Sequence, residues 1–337
     1  MSKTMQKGLV SIITPCYNTG GVIHRLLDSV LEQDYPSISM LVIDDGSADN
    51  SKEVILSYIP LFEKKGYNLE YRYQSNQGQS AAINNALKWV DGEFLTWPDS
   101  DDFYNRADAI SSFVNKFREL EFDFAIVRCF PTSVDEISMR STISCKGINL
   151  DNNQFYNCLY DRNFIWAPGN YMVRTLALDK VNPIREIYVE KNAGQNWQML
   201  LPLLYSFKCY TLSVSLFSVL ERRSSHSRGM YKTYNQKLMK ISAYENTILH
   251  TLDNIQEIPE GEKAKLKKNI NIKYLKERMN ISFAYSMKED SEYYKEQLFS
   301  NGATLTNKER MHLAMMKVPF LYRILMKVYS IFRYIVK

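Results

Sequence analysis

Through the first 130 residues, short apolar, β-branched runs alternate with helix-like runs of ten to fifteen residues. That alternation limits the fold more than any other feature of the chain. Leu9–Thr14 is a strand closed by Pro15, and a helical pattern follows from Gly21 to Glu32. Met40–Ile43 is the second strand, with helix caps at Asp49, Asn50 and Ser51 for a segment running to about Lys64. Leu69–Tyr73, a helix over Gly78–Val90, Phe94–Trp97 and Phe122–Phe130 complete the series. Such βαβ units predict an α/β fold with a mostly parallel central sheet flanked by helices.

In these sheets ligands bind beyond the carboxyl ends of the strands. Three such ends carry polar clusters: Thr14-Pro15-Cys16-Tyr17-Asn18, Asp44-Asp45-Gly46-Ser47 and Trp97-Pro98-Asp99-Ser100-Asp101-Asp102. The last places three carboxylates within four residues. Carboxylates so close repel one another, and a cation relieves that repulsion. Hard oxygen ligands on a loop suit Mg²⁺ or Mn²⁺. The same run also reads as an acidic loop capping a helix from about Asn105.

The chain is 337 residues long, 45% hydrophobic and 23% charged, enough to bury a core. Its five cysteines are scattered with no CxxC pair, and Met1–Gly8 carries no signal-peptide pattern, so a reduced, cytoplasmic setting is expected. A net charge of +5 is too small to argue for nucleic acid. Lys and Arg crowd the last hundred residues, which points to a basic appendage with an acidic partner surface. From Tyr231 onward the pattern is helical. A boundary near Arg228 divides a catalytic domain, 1–228, from a helical C-terminal region, 229–337.

Neither a GxGxxG fingerprint nor a Walker A loop follows the first strand, which disfavours a Rossmann dehydrogenase or a P-loop enzyme. A nucleotide can still bind: Tyr17 can lie against a base or ribose, and Asp45 can accept from a base N–H. Both clusters also read as simple turns.

Val10–Asn18, Val42–Ser51, Asn76-Gln77-Gly78-Gln79-Ser80-Ala81-Ala82 and Asp99-Ser100-Asp101-Asp102, in this order and spacing, resemble family 2 glycosyltransferases of the GT-A (nucleotide-diphospho-sugar transferase) fold. The likeness covers roughly residues 9–105, weakens through 106–228 and is absent beyond. It implies a nucleotide-sugar donor, usually a UDP-sugar, and an inverting transfer. By the same resemblance Thr14, Pro15 and Tyr17 line the nucleoside pocket, Asp45 meets the base, and Asn76 and Gly78 lie on a loop beside the nucleotide. The family's metal motif falls on Asp99, Asp101 and Asp102, with Asp101 nearer the ribose or sugar and Asp102 on the metal that bridges the diphosphate.

Two departures stand out. Ile83 replaces an Arg that many members carry after the glycine loop, and Arg72 is a candidate substitute. The family's general base is commonly the Asp of a Glu-Asp pair at a helix start. The matching run here, Gly194-Gln195-Asn196-Trp197-Gln198, has amides at both acid positions, in a GQNWQ-type pattern that resembles a subgroup of the superfamily. Neither Gln195 nor Asn196 takes a proton at neutral pH, which leaves Glu190, Asp99 or a further residue as base. Gln195-Asn196 also reads as a helix cap with Trp197 in the core.

Arg222, Arg223 and His226 close the catalytic domain, and by the same resemblance a late His or basic residue can reach the metal or the diphosphate; a single His also reads as a surface or core residue. In 317–337, four cations (Arg323, Lys327, Arg333, Lys337) share a helical face about 120° wide, with Phe, Leu, Ile and Val over most of the rest. Such a helix fits an anionic membrane surface, and packing on protein is the alternative. These features predict a metal-dependent glycosyltransferase of surface polysaccharide synthesis. Its acceptor is a glycan or lipid-linked glycan, and it sits on the inner face of the cell membrane. A transferase-like protein that binds nucleotide sugar or glycan without turnover is the competing reading. A nucleotidyltransferase is disfavoured because no Gly-rich, Lys/Arg-bearing loop follows the first strand.

Overall fold

The structure, a computed structural model, describes residues 5–144, 147–222 and 231–316. By internal contacts the chain forms two compact units, one of Met1–His226 with His250–Glu257, the other of Ser227–Leu249 with Ile258–Lys337.

The first unit is built on one sheet. In chain order its strands are β1 (Gln6–Cys16), β2 (Ile38–Asp45), β3 (Asn68–Gln74), β4 (Gly92–Thr96), β5 (Phe103–Tyr104), β6 (Phe124–Asp135), β7 (Ser141–Ile143), β8 (Tyr171–Arg174) and β9 (Lys208–Glu221). They line up as β3-β2-β1-β4-β8-β6-β9-β5, with β7 paired to β6. The βαβ half, β1 to β4, is parallel throughout. Beyond it the sheet is mixed, because β8 runs antiparallel to both β4 and β6 while β6 and β9 run parallel.

All eight residues of β2 are buried. In β1, neighbours of opposite parity, Ile12 and Ile13, are both fully buried. Strands so apolar on both faces need helices on both sides. The helices are α1 (His24–Leu31), α2 (Ser51–Lys65), α3 (Gln79–Leu87) and α4 (Ala109–Glu119). On α4, Ile110, Phe113, Val114 and Phe117 recur at helical spacing and join Val10, Ile12, Leu26, Val30, Phe62 and Phe94 in one core. Ile83, at the position of the missing Arg, is a fully buried core residue of α3.

Further along come α5 (Phe155–Tyr160), a single 3₁₀ turn at Pro168–Asn170, α6 (Thr175–Val181) and α7 (Asn196–Ser206). The turn brings Gly169 against the core: a Cβ there would stand 2.1 Å from Cζ of Phe217. Phe217 is fully buried and cannot move aside. Gly169→Ala should therefore lower stability by about 2–3 kcal/mol, read as a lower urea midpoint. An unchanged midpoint would show that the Phe217 ring has room.

The second unit is helical and carries most of α8 (Tyr234–Asn254), then α9 (Glu260–Ala284), α10 (Lys288–Ser300) and α11 (Asn307–Met316). Met279, Phe283, Leu298, Leu305 and Leu313 form its small core. Among the described residues, no helix is long and apolar enough to cross a membrane. The segment 317–337 lies outside the described residues, so its amphipathic reading stays an expectation from sequence.

Candidate active site

The site is assembled at the carboxyl ends of β1, β2 and β4. After β1 the chain turns through Asn18, in the left-handed region at φ 51°. This turn and the one after β2 hold each other: Asn18 N–H donates to Ser47 Oγ (2.9 Å), and Ala48 N–H donates to Asn18 Oδ1 (2.8 Å). Asp44 is structural, accepting from Ser47 N–H and from the Tyr71 hydroxyl (both 2.8 Å). Thr19 ties the first loop to the acidic run by donating to Ser100 Oγ (3.1 Å). Thr14 and Pro15 are buried at the end of β1, with the Thr14 hydroxyl unpaired, and Tyr17 stays exposed.

Asp45 is nearly as buried as Asp44 and has a different task. Its carboxylate accepts from Gln74 Nε2 (2.7 Å), Gln77 N–H (2.9 Å) and Gly78 N–H (2.8 Å). Three donors leave about one of its four lone-pair sites for anything else. Asp45 thus anchors the glycine loop, on which Asn76 is exposed. Gly78 sits at φ 95°, and a Cβ there would be 3.1 Å from Lys191 Cα, so the loop can take this path against the 188–194 segment only with glycine.

The acidic run is held from three sides. β5 pairs with β9 at Phe103↔Ser218 and Tyr104↔Phe217, which pins the run to the end of β9. There Asp102 Oδ1 accepts from Leu220 N–H (2.9 Å). Asp101 Oδ2 meets Arg222 Nη1 at 3.3 Å, and Asp99 Oδ1 accepts from Gln79 Nε2. The carboxylates do not cap a following helix: α4 begins only at Ala109, and its N-cap residue Asp108 makes no side-chain cap bond.

Burial, and then the neighbouring charge of Asp101, push the Asp99 carboxyl up to about 7, against the opposing pull of Gln195 and Gln79. Burial with the charges of Asp101 and Asp99 raises Asp102 as well. Ionisation of Asp99 and Asp102 is therefore disfavoured here, a penalty that a bound cation would relieve. Among the described residues, no three His, Cys, Asp or Glu side chains are grouped so that they could hold a metal ion. Mg²⁺ and Mn²⁺ need no such group: one or two carboxylates suffice, with water and substrate phosphate completing the shell. The expected ligand His226, and Arg223 beside it, lie outside the described residues.

Arg222, within the described residues, reaches the run. Arg72, the candidate substitute at the donor, pairs instead with Glu70 at 2.6 Å on the exposed part of β3.

α7 brings the amides in. Gln195 is its N-cap residue, yet the side chain makes no cap bond, so the helix-cap reading fails. Gln195 is 1% exposed, and neither Nε2 nor Oε1 has a hydrogen-bond partner. Its amide lies close enough to Asp99 to favour the ionised carboxylate, without the geometry of a true hydrogen bond. Asn196 donates to Trp166 O (2.7 Å), leaving Oδ1 unpaired. Trp197 is buried as a core residue against Trp166.

Glu190 is drawn in by Ser80, on the first turn of α3. Ser80 Oγ donates to Glu190 O (3.1 Å) and accepts from Glu190 N–H (3.0 Å). Ser80→Ala should free this segment, costing about 1–2 kcal/mol of stability. Turnover should fall while nucleotide affinity stays near wild type, as steady-state kinetics beside calorimetric titration with UDP would show. A variant with full turnover would sever Glu190 from the chemistry.

The structure thus brings Asp99, Asp101, Asp102 and Arg222 together and sets Gln195 beside Asp99. Gln79 and Ser80 belong to the motif read from sequence but had no role there, and Glu136, which lies 4.0 Å from Arg222 Nε, had no part in that reading. Gln79 and Ser80 follow Gly78 directly, and that adjacency was the available signal.

Residues 11–179, half of the chain, match the family described as Glycosyl transferase family 2. An uncharacterized glycosyltransferase of Rickettsia typhi is 33% identical over 138 residues, 41% of this chain and 41% of its own length. TuaG of Bacillus subtilis, named for teichuronic acid biosynthesis, is 35% identical over 104 residues, 31% of this chain and 40% of its own. The aligned part therefore spans less than half the length of these relatives. The crystal structure of Staphylococcus aureus TarS 1–349 with UDP-GlcNAc superposes with a TM-score of 0.60 at 18% identity, over 96% of this chain and 91% of that one. A mannosyltransferase from Pyrobaculum calidifontis, in complex with GDP-Man and Mn²⁺, gives 0.53 at 14%, over 98% and 86%. The shared fold is GT-A.

Proposed function

This chain belongs to glycosyl transferase family 2, and from that premise we propose that it transfers a sugar, with inversion and metal dependence, from a UDP-sugar to a glycan or lipid-linked glycan of a bacterial surface polysaccharide. One observation carries the reading: three carboxylates at a strand end, each oriented by a different partner (Gln79, Arg222, Leu220 N–H), in a site where their charge is poorly solvated. Thr14, Pro15, Tyr17 and the Asp45-anchored loop with Asn76 and Gly78 form the nucleoside side. Asp101 and Asp102, with Asp99, would hold the metal, whose charge offsets that building on the departing diphosphate. Arg222, 3.3 Å from Asp101, would share that task.

The acceptor hydroxyl must lose its proton as its oxygen attacks the anomeric carbon and the diphosphate leaves from the opposite face. Glu190 and Asp99 are the two carboxylates offered for that proton. Because Gln195 and Asn196 cannot take it, binding without turnover is the second reading. Donor hydrolysis separates the two: UDP-, GDP- and dTDP-sugars are incubated with the protein, with and without Mn²⁺. Cleavage only with metal supports the proposal. Binding without cleavage supports the second reading, and neither binding nor cleavage defeats both.

The basic segment 317–337 supports contact with an anionic membrane, where a lipid-linked acceptor would lie. Deletion after Met316 should release the protein from sedimenting phosphatidylglycerol vesicles. Undiminished sedimentation would assign the segment to protein packing.

A further inference from the structure

Gln195 is the least explained polar group of the first unit. Buried polar side chains are paired in the great majority of cases, because an unmade hydrogen bond in a dry site costs the full desolvation of the group. Here both ends of one amide are left unpaired at once, at 1% exposure. The residue makes no cap bond to its own helix, and the polar group that it approaches is the Asp99 carboxylate. Its amide neighbours on α7 differ. Asn196 donates to Trp166 O, and Gln198 donates to Tyr188 O (3.2 Å) and Gly194 O (3.0 Å). Gln195 alone is held by neither end.

Its surroundings point one way. Asp99 lies beside it and keeps some opening to solvent. Gln79 binds Asp99, and a Cβ on Gly194, the residue before Gln195, would stand 3.5 Å from Gln79 Oε1. Gln79 follows directly on the Asp45-anchored loop, so Gln195 borders the two loops assigned above to the donor. A primary amide presents an acceptor and a donor side by side. That pair matches two adjacent hydroxyls, one giving its proton to Oε1 and the other accepting from Nε2. A carboxylate at this position could only accept, and it would add negative charge beside Asp99.

We propose that Gln195 reads a vicinal hydroxyl pair on the donor's sugar, a specificity contact and not a proton acceptor, at the position where a carboxylate would otherwise stand. The inference rests on the function proposed above and names the part of the substrate that this amide meets.

The test uses the full chain and Gln195→Leu, which keeps the branched bulk and removes both polar atoms. Each of UDP-glucose, UDP-galactose, UDP-N-acetylglucosamine and GDP-mannose is titrated calorimetrically with Mn²⁺, beside its own nucleoside diphosphate. The sugar's contribution is the ratio of the two affinities. In the Leu variant that ratio should fall roughly tenfold for the best donor, with diphosphate affinity unchanged. The melting temperature should hold or rise, because two unpaired buried groups are gone. Should the Leu variant misfold, Gln195→Met serves in its place. A ratio that stays at the wild-type value overturns the proposal and leaves the transferase reading standing. Wild-type protein that binds no nucleotide at all removes both.

Discussion

Asp102→Asn should cut metal-dependent turnover by about a thousandfold while leaving the protein folded and no less stable. The two halves of this expectation come from different atoms of one side chain. Oδ1 accepts from Leu220 N–H at 2.9 Å, a bond that the carbonyl oxygen of asparagine can keep. The acidic run therefore stays pinned to β9. What disappears is a charge that burial and the neighbouring Asp101 and Asp99 already disfavour. Removing it relieves repulsion, so the melting temperature should hold or rise. Metal affinity takes the loss, since a neutral amide is a poor ligand for a hard dication.

Thermal shift and donor hydrolysis read the two halves together. Wild type should gain melting temperature with Mn²⁺ plus UDP by linkage, and Asp102→Asn should not. Full turnover in the variant would remove Asp102 from the metal. A large loss of stability would show that the carboxylate charge, not its shape, holds β9.

Much of this site was legible in the sequence because its parts are local. β2 and β4 are apolar runs ended by Gly46 and Pro98, and β1 runs only one residue past Pro15, so their carboxyl ends, and the clusters on them, could be located closely from punctuation alone. The longer-range contacts were not legible. Ser80 meets Glu190 across 110 residues, Asp102 meets Leu220 across 118, and Asp101 meets Arg222 across 121. Nothing in the local pattern of either partner names the other. Sheet order decides such pairs, and the reversed β8 that places β6 and β9 beside the parallel half leaves no periodic signature.

Gln195 shows the same limit from another side. Its position before a helix matched a cap, a local reading, while its orientation toward Asp99 depends on α7 packing against the sheet. The late start of α4 has a similar cause. Pairing of Phe103–Tyr104 with β9 takes the first residues that a helix from Asn105 would have needed nearby.

Asp45→Ala should lower both stability and nucleotide affinity, and the link between the two losses is what distinguishes its role. The carboxylate is 3% exposed and accepts two backbone N–H groups, of Gln77 and Gly78, besides the Gln74 amide. Alanine leaves these donors without an acceptor. Part of the loop is exposed, so water replaces some of what is lost, and the expected cost is about 2 kcal/mol. The loop then no longer holds Gly78 against Lys191, and affinity for UDP should fall more than tenfold because the nucleoside side is unformed before binding. If Asp45 served only as a base-contacting acceptor, the variant would lose affinity with its melting temperature unchanged. Asp45→Asn sharpens the distinction. Its carbonyl keeps one acceptor, but its NH₂ faces a backbone N–H, so an anchor role predicts a loss of stability close to that of alanine. Urea unfolding of both variants beside UDP titration decides it: an unchanged midpoint in both removes the anchor, and an unchanged affinity in both removes Asp45 from the nucleotide site.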